Sequence, residues 1–307
     1  MSMRRQFTLV FATTVFLAGC AVSASDTELA PPALDDVRSA TIIGLFDEPV
    51  TLTDGRWEGE PYVADGASRP TAGVAGDLLL SGDLTGDGTD ESVAFLWSST
   101  GGSGTRNFFA VFGRESGAVR NIATTLIGDR VQLRSGRLIA GRIELNVIQH
   151  GPGDPACCPG TNATRSWSFE SGELREAPVQ LGSRLAVADI DGHKWQLVGI
   201  DRRNAAEVAG NVTLQVKGDQ VVGGAPCNRY FASIRDGGAV GEIEIGQVAS
   251  TRMACPDDQA MPNEQEFLSL LSAVHRFGFM TGQLVLTANM ESATRTLHFA
   301  PLANDGK

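Results

Sequence analysis

The 307-residue chain has no apolar run of bilayer length, no excess of basic charge and very few of the residues that carry nucleophilic chemistry. Its longest apolar stretch, just after Arg4 and Arg5, runs about a dozen residues, and a spanning helix takes about 20. With 25 basic against 36 acidic residues and a net charge of −11, it lacks the clustered cations that nucleic acid binding by counterion release requires. Anionic headgroups are an equally poor partner. Only four histidines are present; there is no Gly-x-Ser-x-Gly elbow and no His-Glu-x-x-His pair, which removes the commonest serine hydrolase and zinc protease signatures. Helix-favouring runs are scarce while glycine stands at 36, so strands and turns should dominate.

The basic start, the short apolar stretch and Leu17-Ala18-Gly19-Cys20 have the layout of a cleaved export signal. The cysteine at the cut point resembles the lipobox of bacterial lipoproteins, which implies a signal peptide over residues 1–19, lipid on Cys20 and attachment to the membrane through that lipid. Loss of Arg4 and Arg5 would take the net charge from −11 to −13. Ala21 stands where an aspartate holds such proteins at the inner membrane of Gram-negative cells, so the expected address is the outer membrane, facing the periplasm.

Residues 20–35 are rich in Ala, Ser, Pro and Asp and read as a flexible tether. A β-rich first domain is expected over residues 36–178. Strand-like runs lie at Leu78 to Leu80, Ser92 to Trp97, Phe108 to Phe112, Arg130 to Arg134, Ile143 to Ile148 and Arg165 to Glu170. A linker is expected over 179–192 and a second domain over 193–301. In the latter, Phe267, Leu268, Leu270, Leu271 and Val274 form a helical apolar stripe. Pro262 and a box of Asn263 with Glu266 mark its start, His275 and Arg276 its last turn, and Gly278 its stop. Strand-like runs at Trp195 to Val198, Val212 to Val216, Val240 to Ile245, Leu284 to Thr287 and Thr296 to Phe299 give an α+β domain: a curved antiparallel sheet packed on one helix.

Trp195-Gln196-Leu197, Gly223 to Phe231 with its Cys-Asn-Arg-Tyr core, Ser250 to Pro256 and the segment from Glu264 to Leu271 resemble the META (HslJ-like) family over about 110 residues. Ala225-Pro226 depart from the Gly or Ala usual directly before the cysteine. The resemblance implies a small α+β fold of bacterial envelope proteins linked to stress, antibiotic tolerance and secretion or motility, with no established enzymatic activity. The segments Gly82 to Gly88, Gly101 to Gly104, Gly128 to Val131 and Gly151 to Pro159 resemble a module that accompanies META domains in exported lipoproteins.

Three constellations could carry chemistry. In the loop Asp83 to Glu91, the residues Asp83, Thr85, Asp87, Thr89 and Glu91, with Gly88 at the sharp turn, resemble the calcium loops of FG-GAP and dockerin-type repeats. Ca²⁺ is therefore a candidate cofactor. The alternative is a solvated Asp-Gly turn. Four cysteines remain once Cys20 is set aside, in an oxidising compartment that favours disulfides. Cys227 with Cys255 is the simple pair, and two reduced, packed thiols are the alternative. Cys157 and Cys158 are adjacent, between Pro155 and Pro159, and read as a stiffened loop or, less simply, a redox pair; a metal site of His150, Asp154 and these cysteines fits no zinc spacing, and His150 with Cys157 or Cys158 could also be drawn as a Cys-His pair. Asn228, Arg229, Thr251 and Arg252 could line a binding face, or could simply bond and pack around the Cys227 loop. Gly101 to Gly104 reads as a hairpin turn. The expectation is a lipid-anchored, non-enzymatic envelope module that binds a ligand or envelope proteins. The rivals are a calcium-dependent adhesin or receptor, a thiol-based redox enzyme and a purely structural component.

Overall fold

A computed structural model describes residues 30–204, 211–253 and 260–302. Cys20, the leader and Cys255 lie outside them. Strands dominate the described chain, and the pairings between its named strands are all antiparallel.

Residues 30–35 are not a free tether. Pro32 O accepts the Ser92 hydroxyl at 2.6 Å and Ala30 O accepts Arg114 Nε at 2.8 Å. Helix α1 (Leu34–Arg38) begins inside the segment, its Asp36 carboxylate accepting the Ala33 N–H, the acceptor a helix start needs. Strands β1 (Thr41–Ile42) and β2 (Val50–Thr51) pair with each other. Then β3 (Arg56–Glu58), β4 (Thr71–Gly82), β5 (Glu91–Ser99), β6 (Arg106–Glu115) and β7 (Ala118–Asp129) form a five-stranded meander. A second sheet contains β8 (Gln132–Ile139), β9 (Arg142–Gln149), β10 (Thr161–Glu170), β11 (Glu173–Glu176) and β12 (Gln180–Arg184), with β11 and β12 both paired to β10. Two-residue turns at Ser116-Gly117, Ala140-Gly141 and Ser171-Gly172 have positive φ at both positions, the primed geometry that matches strand twist.

Strands β5 and β6 are buried on both faces. Val93, Phe95, Phe109 and Val111 point into the core between the two sheets, with Trp167 and Leu145. Ala94, Leu96, Phe108, Ala110 and Phe112 point the other way, under Val37, Ile42, Val50 and Leu52 of the N-terminal segment. Period-2 alternation survives as a change of partner rather than of polarity, so both strands read as continuous apolar runs.

The expected linker is structured. Strand β12 belongs to the first domain, while Leu185 and the 3₁₀ turn Val187–Ile190 sink Leu185, Val187 and Ile190 into the second core. The second domain follows as β13 (Lys194–Ile200), β14 (Arg203–Asn204), β15 (Thr213–Lys217), β16 (Gln220–Gly224), β17 (Arg229–Asp236), β18 (Ile243–Ile245), β19 (Ala249–Ser250), α2 (Ala260–Ser272), β20 (Val274–Met280), β21 (Gln283–Asn289) and β22 (Thr294–Pro301). The main order is β18-β17-β16-β15-β13-β22-β21-β20. Its two ends meet through a bridge between Glu242 and Arg276 and a bond from Phe277 N to Gly241 O at 2.8 Å. The sheet thus curls toward closure, which protects its edges. Phe267, Leu270 and Leu271 of α2 are fully buried in the core it encloses.

One expectation fails here. His275, Arg276 and Gly278 are not the last turn and stop of the helix; all three lie in β20. Val274, Phe277 and Phe279 are buried and pair with β21 around a bulge between Val274 and Arg276. Pairing and burial outweigh the local helical signal.

The two domains dock along β8 and β20. Gln132 Oε1 accepts Phe279 N at 2.8 Å, and Leu133 O accepts Gly282 N at 2.9 Å. A Cβ at Gly278 would lie 2.6 Å from Gln132 Oε1, and one at Gly160 2.4 Å from Val240. Glycine at 278 therefore admits the other domain.

Candidate functional site

Arg134, on β8, anchors the seam. It donates to Asp189 Oδ1 at 3.0 Å and to Asp189 O at 2.9 Å, and also bonds Asn162 Oδ1. Asp189 Oδ2 in turn accepts Asn162 Nδ2 at 3.0 Å and Ala186 N at 2.9 Å. The guanidinium lies 5.0 Å over the Phe279 ring, adding a cation–π contact. Beside this cluster opens a cleft of about 550 Å³, walled by Asn146, Thr164, Gln180 and Leu181 from the first domain and by His193, Trp195, Phe279 and Pro301 from the second. Trp195 is buried and its Nε1 lacks a hydrogen-bond partner. Arg134 is neutralised by Asp189, so the cleft presents amides, hydroxyls and apolar edges rather than net charge. No sequence signal marked Arg134 or Asp189; an arginine in one strand and an aspartate in a short turn take meaning only from the docking.

The Asp83 loop is satisfied by its own backbone. Asp83 accepts Gly86 N at 2.6 Å and Gly88 N at 3.1 Å; Asp87 accepts both Thr89 N and its hydroxyl, which hold its carboxyl below the usual range. Glu91, 3% exposed, accepts Leu84 N, Thr85 N and the Thr85 hydroxyl. The five candidate calcium residues therefore share one loop, but its three carboxylates, Asp83, Asp87 and Glu91, are spent on N–H and hydroxyl donors of that same loop. Among the described residues no three His, Cys, Asp or Glu side chains gather as a metal-holding group.

In the second domain, Asn228 is buried and bonded on every side. Its Oδ1 accepts the Thr251 hydroxyl at 2.8 Å and Met253 N at 2.7 Å. Its own N–H and Nδ2 donate to Glu264, which also accepts Cys227 N. Buried Asn228 thus ties two loops to α2 and holds the Thr251 hydroxyl, while Thr251, Arg229 and Arg252 are themselves exposed. In the sequence Glu264 stands out only as the first residue of the META-like helical segment, with nothing to point to these bonds. Cys227 is disulfide-bonded. Cys157 and Cys158 are joined to each other, and Gly101 to Gly104 forms the bend between β5 and β6.

The shifted titratable groups lie apart from the cleft. Burial raises Asp154, but N–H bonds from Gly151 and Gly160, the Thr161 hydroxyl and Arg184 outweigh it and hold the carboxyl below its ordinary value. Arg203 and Arg295 lower Glu266. Burial pushes the Tyr230 phenol up, its hydroxyl donating to Thr213 O at 2.8 Å.

Residues 188–303 match the family model described as the META domain. That segment is the second domain with the last residues of the junction, and it is this part of the chain that is similar to the META family. An NMR structure of a protein from Burkholderia xenovorans is similar at 19% identity over 42% of this chain and 97% of that one, with a TM-score of 0.29, too low to carry an argument. No curated protein matches.

Proposed function

We propose that the chain is a lipid-anchored binding module of the bacterial envelope, with the cleft between its two domains as the ligand site. The observation that supports this is the cleft itself: both domains wall it, and the Arg134–Asp189–Asn162 cluster fixes their relative placement at its edge. Amides and hydroxyls beside apolar edges suit a neutral, hydroxyl-rich ligand, of which the glycan strands of the cell wall are the nearest envelope chemistry. The lipobox-like Cys20 and Ala21 support anchoring at the outer membrane. The carboxylates outside the cleft that are held below their ordinary values each have bonded partners, which favours structural roles for them.

The test uses the soluble chain from residue 21 and fragments of cell-wall glycan strands, followed by thermal shift and calorimetry. Saturable binding is expected, lost in Leu181→Asp, which changes an exposed cleft residue without touching a core. Binding that survives Leu181→Asp, or no binding at millimolar glycan, overturns the cleft as a glycan site.

A further inference from the structure

A second cleft, of about 670 Å³, opens on the opposite stretch of the same seam, lined by Pro155, Cys157, Cys158, Arg184, Val240 and Arg276 among others. The disulfide on its wall joins adjacent residues with Cα atoms 3.7 Å apart. Cys157 is exposed and Cys158 half-buried. Arg276, at the point where the second sheet closes, donates Nη1 to Cys158 Sγ at 3.8 Å. The two sulfurs are therefore unlike: one open to an incoming group, the other beside a cation.

The loop that carries them does not depend on the disulfide for its shape. Asp154, whose side chain is 1% exposed, accepts Gly151 N and Gly160 N, both at 2.9 Å, and the Thr161 hydroxyl at 3.2 Å, closing the loop at its base. Arg130 Nη1 donates to Ala156 O at 3.1 Å from outside. Opening the S–S bond leaves these ties in place.

From this arrangement we infer that Cys157–Cys158 is a thiol–disulfide exchange site, and that its substrate is a dithiol, protein or small molecule, whose reactive end enters the cleft. A thiolate of the dithiol attacks exposed Cys157 Sγ. The Cys157–Cys158 bond breaks, and its electron pair leaves on Cys158 Sγ as a thiolate next to the Arg276 guanidinium. The second thiol of the dithiol gives up its proton and attacks its own mixed-disulfide sulfur, freeing Cys157. Two electrons and two protons pass from the dithiol, which becomes a disulfide, to the cysteine pair. A neighbouring cation favours a thiolate and so makes Cys158 the better leaving group. The other charges facing Cys158 are largely paired. Arg184 stands 3.4 Å from Asp154 Oδ1, Arg276 Nη2 is 3.8 Å from Glu242, Arg130 pairs with Asp129, and Asp236 accepts Val187 N.

The experiment uses the soluble chain from residue 21, with dithiothreitol as the dithiol and peptide mapping after alkylation to keep Cys227 apart. In single-thiol variants, the iodoacetamide rate of Cys158 (in Cys157→Ser) should titrate about one pH unit below that of Cys157 (in Cys158→Ser). Arg276→Gln should abolish the difference and slow native-state reduction by roughly threefold, while Arg276→Lys retains both. Because Arg276 also sits at the sheet closure, the single-thiol comparison stands independently of that variant's stability. Free thiols in the exported protein, a Cys158 titration at or above that of Cys157, or a disulfide reduced only after unfolding overturns the inference.

Discussion

Two glutamates, one in each domain, solve the same problem. Glu91 and Glu264 are each 3% exposed, and each faces a loop whose N–H groups have no strand to pair with. Glu91 collects Leu84 N, Thr85 N and the Thr85 hydroxyl; Glu264 collects Cys227 N, Asn228 N and Asn228 Nδ2. Neither has a cation among these partners. A buried carboxylate is tolerated when N–H dipoles satisfy it, and a buried loop is tolerated when an acceptor meets its donors. The difference is reach. Glu91, the first residue of β5, closes the loop six or seven residues before it, whereas Glu264 reaches from a helix across 36 residues and, through Asn228, also holds Thr251 and Met253.

That difference sets the largest expected effect. Glu264→Ala strands two backbone N–H groups and an amide inside the second domain and loosens both loops that Asn228 joins. The cost should be about 3–5 kcal/mol, read as a fall in the urea midpoint and early proteolysis within residues 188–303. Glu91→Ala removes an equal number of bonds from a loop at the surface, where water can replace part of them, and should cost about 2 kcal/mol. If the two substitutions cost the same, reach is not what separates the sites. Calcium sharpens the comparison: with Asp83, Asp87 and Glu91 already accepting N–H groups, a millimolar Ca²⁺ addition should leave the melting temperature of the wild type unchanged. A rise that EGTA reverses and Asp87→Ala abolishes would instead make this loop a metal site and Glu91 a ligand.

The two glutamates also mark what the sequence could reveal. The Asp83 loop was visible because its donors and acceptors lie within nine residues, although residue types alone could not say whether its carboxylates face a metal or N–H groups. The Cys-Asn-Arg-Tyr and Thr-Arg-Met-Ala-Cys-Pro segments identified the second domain, and the apolar stripe found α2. Glu264 stayed hidden because its partners are remote in the chain. Strand β20 was misread because Val274 continues a helical stripe; the need for an eighth strand beside β21 is a property of the whole sheet. The seam was invisible for the same reason: Gln132, Arg134, Gly160 and Gly278 acquire their roles from the other domain.

The smallest effect tests whether ion pairs matter where buried N–H capture does not reach. On the outside of the second domain, Arg295 bonds Asp201 and, at 3.1 Å, Glu266, which Arg203 also bonds. Burial raises Asp201, but Thr296 N–H and Arg295 outweigh it, and both carboxyls sit below their ordinary values. A lowered carboxyl pKa adds stability that is present above its unfolded-state value near 4 and is lost as the pH falls through the folded value. These side chains are about a third exposed, so solvent screening limits the sum to about 1 kcal/mol. Arg295→Gln should therefore lower the urea stability by about that amount at pH 7 and by less at pH 2.5, as the pH falls through the lowered carboxyl values. An Arg295→Gln penalty of equal size at the two pH values would show that the arginine stem packs rather than pairs, and would leave N–H capture as the polar interaction that distinguishes this domain.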